Sequence, residues 1–355
     1  MCMHCTRRQF IGASAVGGIA LAAGHLAAES DEPTSPPSPD SKVPICVVIA
    51  GKPTGNSWGL SEADLAPAME RLTQAERNLG NVQFVVGQAT SAEQMAQLLK
   101  EAGPDAPVLA ISADIFGLSK LMPTVFEQGR PVAVFHMPII GGHDWCLVNP
   151  WREQGHRITL LGSSDYDELE RAASLLRVPP LLQRSRVLVS GPFKGTPEAY
   201  TPEKVKQQLG VEMVTIAEGR YDEVMADVDD RAAKAEAKRW LDEAEGIVEP
   251  NQEDVLKAAR ASLTLDRLIA ENRADGLCVG TCMRWLPRGF PCLGFSRLND
   301  RGIPAACDGD MDCLLTMLIF QHALNRAGFL GNAGSVDSAK NAFHLSHCSA
   351  PLRME

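Results

Sequence analysis

The stretch "VPICVVIAG" (43–51) decides the fold. It is a short apolar run closed by Gly, with no polar alternation. That pattern reads as a parallel strand buried on both faces. Similar runs recur downstream, with helical patterns between them. The first helical pattern runs from about Ser61 to Leu79. "VQFVVG" (82–87) is the next strand and "SAEQMAQLLKEA" (91–102) the next helix. "PVLAIS" (107–112) and "PVAVFHMP" (131–138) are further strands, with the helical "LSKLMPTVFEQG" (118–129) between them. Such βαβ alternation predicts a doubly wound parallel sheet.

A second series begins after "HRITLLGSSDYDEL" (156–169). "RSRVLVSGP" (184–192) is a strand, "TPEKVKQQLG" (201–210) a helix and "VEMVTIA" (211–217) a strand. One long helical stretch is expected from about Tyr221 to Glu245 and another from Asn251 to Asn272. "ADGLCVG" (274–280) is a strand, "IPAACDG" (303–309) a short buried run, and Met311–Leu324 a helix. The expected fold class is α/β: two Rossmann-like parallel-sheet domains, at 43–163 and 164–325, with a C-terminal element at 326–355 completing the site. The length of 355 residues suits two domains.

Ahead of the first strand, Thr6, Arg7, Arg8, Gln9, Phe10 and Ile11 match a twin-arginine signal, and a mild Ala/Gly-rich run extends to about Ala28. Leu26-Ala27-Ala28 only approximates a small-x-small cleavage site. The expectation is export by the twin-arginine route to the periplasm or beyond, with the signal (1–28) either cut or kept as an anchor. "ESDEPTSPPSPDSK" (29–42) is polar and proline-rich, and reads as a disordered tether. No other segment is long and apolar enough for a stable membrane span in the mature chain.

Composition narrows the partners. The net charge of −10 argues against general nucleic-acid binding, and 5% aromatics give little stacking surface for bases. With 45% hydrophobic residues, the chain can bury sizeable cores. Five of the ten cysteines lie between Cys278 and Cys313. "CVGTC" (278–282) has a three-residue gap and no second pair of that spacing, so buried thiols are a better reading than a zinc ribbon.

Several familiar chemistries are missing. The loop "GKPTGNSWG" (51–59) succeeds the first strand but is neither G-x-G-x-x-G nor a P-loop. There is no G-x-S-x-G elbow. Loop residues His143 and Asp144, in "MPIIGGHDW" (137–145), stand where a ligand would come. The stronger cluster is "PAACDGDMDCLL" (304–315), with Asp308, Asp310 and Asp312 on alternate positions. Acids in this spacing hold a metal, cap a helix or face water. A calcium loop is excluded, because Cys313 stands where Gly is required and Ile319 where the bidentate Glu should be. Asp310 and Asp312 suit the N-terminus of the next helix. Asp308 ends a small apolar run, where a carboxylate is costly unless paired, hydrogen-bonded or bound to a cation. Downstream, in "HLSHCSAP" (344–351), His347 supplies an imidazole, and carboxylates with one imidazole suit a hard divalent ion such as manganese.

At these residues the chain resembles the L-fucose isomerase and L-arabinose isomerase superfamily, in a shorter form. The likeness is strongest in "PCLGFSRLNDRGIPAACDGDMDCLLTMLIFQHAL" (291–324), "GFLGN" (328–332) and "HCSAP" (347–351). It implies metal-dependent aldose–ketose isomerisation of a pentose or deoxyhexose, with Mn2+ as cofactor and a homo-oligomer by analogy. It implies Asp308 as the first catalytic acid and metal ligand, normally Glu, and His347 as the second ligand. Asp310 and His143 are the expected substrate contacts. The second catalytic acid falls 24 residues after the first, at Asn332. An amide cannot take a proton near neutral pH, so isomerase chemistry there lacks one proton carrier. The alternative expectation is a non-catalytic periplasmic sugar-binding protein, since two α/β lobes and an export signal describe such receptors equally.

Overall fold

The computed structural model describes residues 42–138, 144–194, 197–217, 219–280, 288–326 and 328–352. The signal read at 1–28, the tether up to residue 41, and His143 lie outside the described residues. The chain forms two units, Met1–Leu181 and Leu182–Glu355.

The first unit runs β1 (Val43–Ala50), α1 (Glu62–Leu79), β2 (Val82–Ala89), α2 (Ala92–Ala102), β3 (Val108–Ser112), α3 (Gly117–Glu127), β4 (Val132–His136), α4 (Val148–Glu153), β5 (Ile158–Gly162), α5 (Asp167–Leu176) and α6 (Val178–Arg184), the last crossing into the second unit. Its five strands are parallel in the order β2-β1-β3-β4-β5. β1 shows why the run must be apolar throughout. Val43, Ile45 and Val47 join Leu65, Leu72 and Leu169 in one core, while Cys46, Val48 and Ala50 join Met95, Leu99 and Leu118 in the other. Alternate residues point to opposite faces, and helices cover both. Each fully buried Leu or Val contributes roughly 1.5–3 kcal/mol. α1 begins at a capping box in which the Ser61 side chain accepts from the Asp64 N–H and the Asp64 carboxylate accepts from the Ser61 N–H.

The second unit continues with β6 (Arg186–Ser190), α7 (Pro202–Leu209), β7 (Glu212–Thr215), α8 (Arg220–Ala226), α9 (Asp230–Glu243), α10 (Gln252–Asn272), β8 (Gly276–Val279), α11 (Cys292–Asp300), β9 (Ala305–Ala306) and α12 (Met311–Leu324). Its four strands are parallel in the order β7-β6-β8-β9. The fold class read from the sequence is therefore the observed one. The single helix expected over 221–245 is broken in two, because Asp229 caps α9 by accepting from the Ala232 N–H at 2.8 Å.

Beyond α12 the chain forms an antiparallel hairpin, β10 (Asn332–Asp337) and β11 (Ala342–Ser346), in which Asn332 pairs with Ser346. Every residue of both strands is exposed. Among the described residues, no helix is long and apolar enough to cross a membrane.

Candidate functional site

The acid cluster sits just past the carboxyl end of β9, where open parallel sheets offer their ligand crevices. Asp308 and Gly309 both have positive φ, 61° and 71°, and the Asp310 N–H donates to the Cys307 carbonyl at 3.1 Å. That is the pattern of a type I′ turn. Asp tolerates the left-handed region better than most side chains. Gly309 is obligatory for a second reason: a Cβ there would run into the Pro192 carbonyl.

Three loops are stitched together around this turn. The Lys194 N–H donates to the Gly309 carbonyl at 2.9 Å, the Gly309 N–H to the Val279 carbonyl at 2.8 Å, and the Gly280 N–H to the Ser190 carbonyl at 2.5 Å. The carboxyl ends of β6, β8 and β9 thus converge on Asp308. The Lys194 ammonium, arriving from the β6 loop, lies 2.6 Å from Asp308 Oδ2. This bond to the carboxylate holds the Lys194 pKa above its ordinary value.

Asp310 and Asp312 have local partners. Asp310 is the N-cap of α12, its Oδ1 accepting from the Cys313 N–H at 2.9 Å. Exposed Asp312 accepts from the Tyr200 hydroxyl. The thiols beneath are buried or shielded: burial pushes Cys278 and Cys313 up to about 12. Cys278 and Cys307 are buried thiols, the character the spacing predicts.

His347 comes directly after β11 and is half-buried. Burial pushes its pKa below the ordinary histidine range; the Asp308 charge pulls it up and the Lys194 charge pushes it down. Asp308, Lys194 and His347 are therefore within electrostatic reach of one another. The Ser349 N–H donates to His347 Nδ1 at 3.3 Å, and Ser349 Oγ lies 2.8 Å from the same nitrogen. A ring nitrogen that accepts a backbone N–H carries no proton, so the neutral imidazole holds its proton on Nε2. Asn332, opposite Ser346, is placed by the hairpin register one residue pair from His347.

A residue that sequence reasoning misses holds these parts together. Asn299, 2% exposed in α11, accepts from the Ala305 N–H at 2.7 Å and donates to the Ala305 and Ser349 carbonyls at 3.3 and 3.4 Å. One amide thus fixes β9, which leads to Asp308, and the tail that carries His347. Lys194 is also missed, although a cationic loop residue just after a strand is a readable signal. Of the expected contacts, Asp308, Asp310, Asn332 and His347 lie in the second unit. His143 falls outside the described residues; its neighbour Asp144 is buried in the first unit.

In this arrangement Lys194 and Ser349 engage the groups through which Asp308 and His347 would hold manganese. An ammonium already faces the Asp308 carboxylate, His347 Nδ1 is engaged by Ser349, and Nε2 is the protonated nitrogen. Among the described residues, no group of three or more His, Cys, Asp or Glu is placed to hold a metal ion.

No family model matches the chain, and no curated protein does. Among solved structures, one described as a two-component system response regulator/GGDEF domain protein is 12% identical over 79% of this chain and 98% of its own, with a TM-score of 0.32. Another, described as the XylFII molecule, is 11% identical over 81% of this chain and 96% of its own, with a TM-score of 0.23. At such scores neither likeness carries an argument about function.

Proposed function

We propose that the second unit binds a small sugar in its open-chain or cyclic form, with Lys194, Asp308 and His347 as the contact groups. The observation that carries this reading is the Lys194–Asp308 pair, 2.6 Å apart and partly exposed on loops beyond the strand ends. An ammonium beside a carboxylate offers donors and acceptors to neighbouring hydroxyls, and charge-assisted hydrogen bonds are the strong ones. The His347 Nε2–H adds a neutral donor. Asn332 beside it cannot take a proton near neutral pH, which favours binding over isomerisation. Titration calorimetry with a panel of pentoses and deoxyhexoses tests the reading: saturable binding without added metal is expected, and no binding by any sugar refutes it.

The resemblance to sugar isomerases supports a second reading, aldose–ketose isomerisation with manganese. The observation favouring it is that Asp308 and His347 share one electrostatic neighbourhood, with Asn332 paired to Ser346 next to His347. It requires Lys194 to release Asp308. Under this reading Asn332→Asp gains turnover when manganese is supplied; a folded variant without turnover discards it.

The paired Arg7 and Arg8 support export by the twin-arginine route, and replacing both by Lys is expected to retain the protein in the cytoplasm. A homo-oligomer rests on family analogy alone; a monomeric mass in sedimentation equilibrium would remove it.

A further inference from the structure

The first unit has a topological switch point of its own. In the order β2-β1-β3-β4-β5 the winding reverses between β1 and β3. Ligands of open parallel sheets bind outside the carboxyl ends of the strands at such a point. Three large aromatic side chains stand exposed there: Trp58 at 56%, Phe116 at 53% and Trp145 at 44%. Hydrogen bonds and a ring contact join their segments. The Ile115 N–H donates to the Trp58 carbonyl at 3.2 Å, and the Phe116 N–H to Asp114 Oδ1 at 2.9 Å. The Ser119 N–H donates to Asp144 Oδ2 at 2.8 Å, and the Trp145 ring lies 6.1 Å from that of His136 at the end of β4. Scattered exposed aromatics need no explanation, but three on loops joined in this way call for one.

Two carboxylates belong to this cluster. Asp114 and Asp144 are close enough that Asp114 adds to the upward push that burial gives the Asp144 pKa. The N-terminus of α3, which both carboxylates face, supplies only about half a positive charge. Among the described residues neither acid forms an ion pair; Lys52 reaches Asp114 through its backbone N–H, at 2.8 Å. His136 is 6% exposed, and its Nδ1 has no hydrogen-bond partner among the described residues. Burial holds this imidazole neutral, so it supplies no counter-charge.

We propose that this edge of the first unit binds a small organic cation, an alkylammonium group lying on the faces of Trp58, Phe116 and Trp145 with Asp114 as its counter-ion. Aromatic faces attract such cations, Trp most strongly. From β1 to β4 is two strand spacings, about 10 Å, room for one small molecule. A phosphate or carboxylate ligand would meet two acids. A neutral sugar would cover the rings but bring Asp114 no charge partner. The site is independent of the one in the second unit.

The test tracks indole N–H signals by NMR in the full chain, with the Trp58 signal assigned through its loss in Trp58→Phe. Choline and its uncharged carbon isostere, 3,3-dimethylbutan-1-ol, are the probes. Choline is expected to move the Trp58 signal saturably, with an affinity at least about tenfold above the alcohol. Phe116→Leu, which leaves both carboxylates and their helix contacts in place, is expected to weaken choline by several-fold. Equal effects of choline and the alcohol overturn the proposal. So does a Trp58 signal that moves with pentoses or deoxyhexoses while choline is inert, or one that no probe moves. None of these outcomes touches the sugar site around Lys194 and Asp308.

Discussion

Lys194 Nζ stands 2.6 Å from Asp308 Oδ2, although 114 residues of chain separate them. The Lys194 side chain is 63% exposed and that of Asp308 34%, so solvent screens the pair. Exposed pairs contribute under about 1 kcal/mol to folding. The pair at the mouth of three converging loops therefore adds little to stability, and under the proposed function it serves the ligand. Lys194→Met is expected to change the unfolding free energy by less than about 1 kcal/mol, measured by urea denaturation. A markedly larger loss would make the pair a structural device.

The crossing of loops beneath Asp308 depends on Gly309. Its φ of 71° is strained for any side chain, and a Cβ would meet the Pro192 carbonyl. Gly309→Ala is expected to cost at least about 2 kcal/mol of stability. Calorimetric unfolding checks this; an alanine variant as stable as the parent contradicts the described packing.

Asn299 links the two halves of the site. Truncation to Ala leaves the Ala305 N–H buried and unpaired, at a cost of about 1–3 kcal/mol. Since the same amide reaches Ser349, the NMR signal of the His347 ring is expected to move as well. A variant that loses stability while the His347 signal stays in place breaks the proposed link.

Acid should weaken the fold through His347. Its folded pKa is below the ordinary unfolded value of about 6.5. The unfolded chain therefore takes up the proton first as pH falls. Stability from the neutral imidazole is full above about pH 6.5 and is lost as pH falls through the folded pKa. Buried His136 acts in the same direction. Urea midpoints from neutral to mildly acidic pH should fall less steeply in His347→Gln than in the parent; identical slopes refute the contribution.

The fold is legible because its strands are unusually plain. β1 has no polar residue to dilute its signal, and helical periods separate the strands, so the pattern implies the parallel sheet. Ser61 and Asp64 mark a helix start in the sequence as in the structure. The break between α8 and α9 is hidden because the apolar period runs on across Asp227–Asp229, while a single cap at Asp229 ends it. The hairpin of β10 and β11 is hidden because all its residues are exposed, leaving no buried face to impose a period of two. Within the site, Asp310 is readable as a helix cap from its place before an apolar helix. Lys194 is not readable as the partner of Asp308, because nothing local links a lysine in one loop to an acid 114 residues on. Asn299 looks like an ordinary polar residue, and only the approach of β9 and the C-terminal tail gives its amide three partners.

The role of the Lys194–Asp308 pair in holding a sugar is tested most directly by one affinity series. It compares the best-binding sugar on the parent, Lys194→Met, Asp308→Asn and the double variant. Each single change is expected to weaken binding by about tenfold or more, as befits a charge-assisted contact, and the double variant to be little worse than the weaker single. Single variants that bind as tightly as the parent would contradict that role.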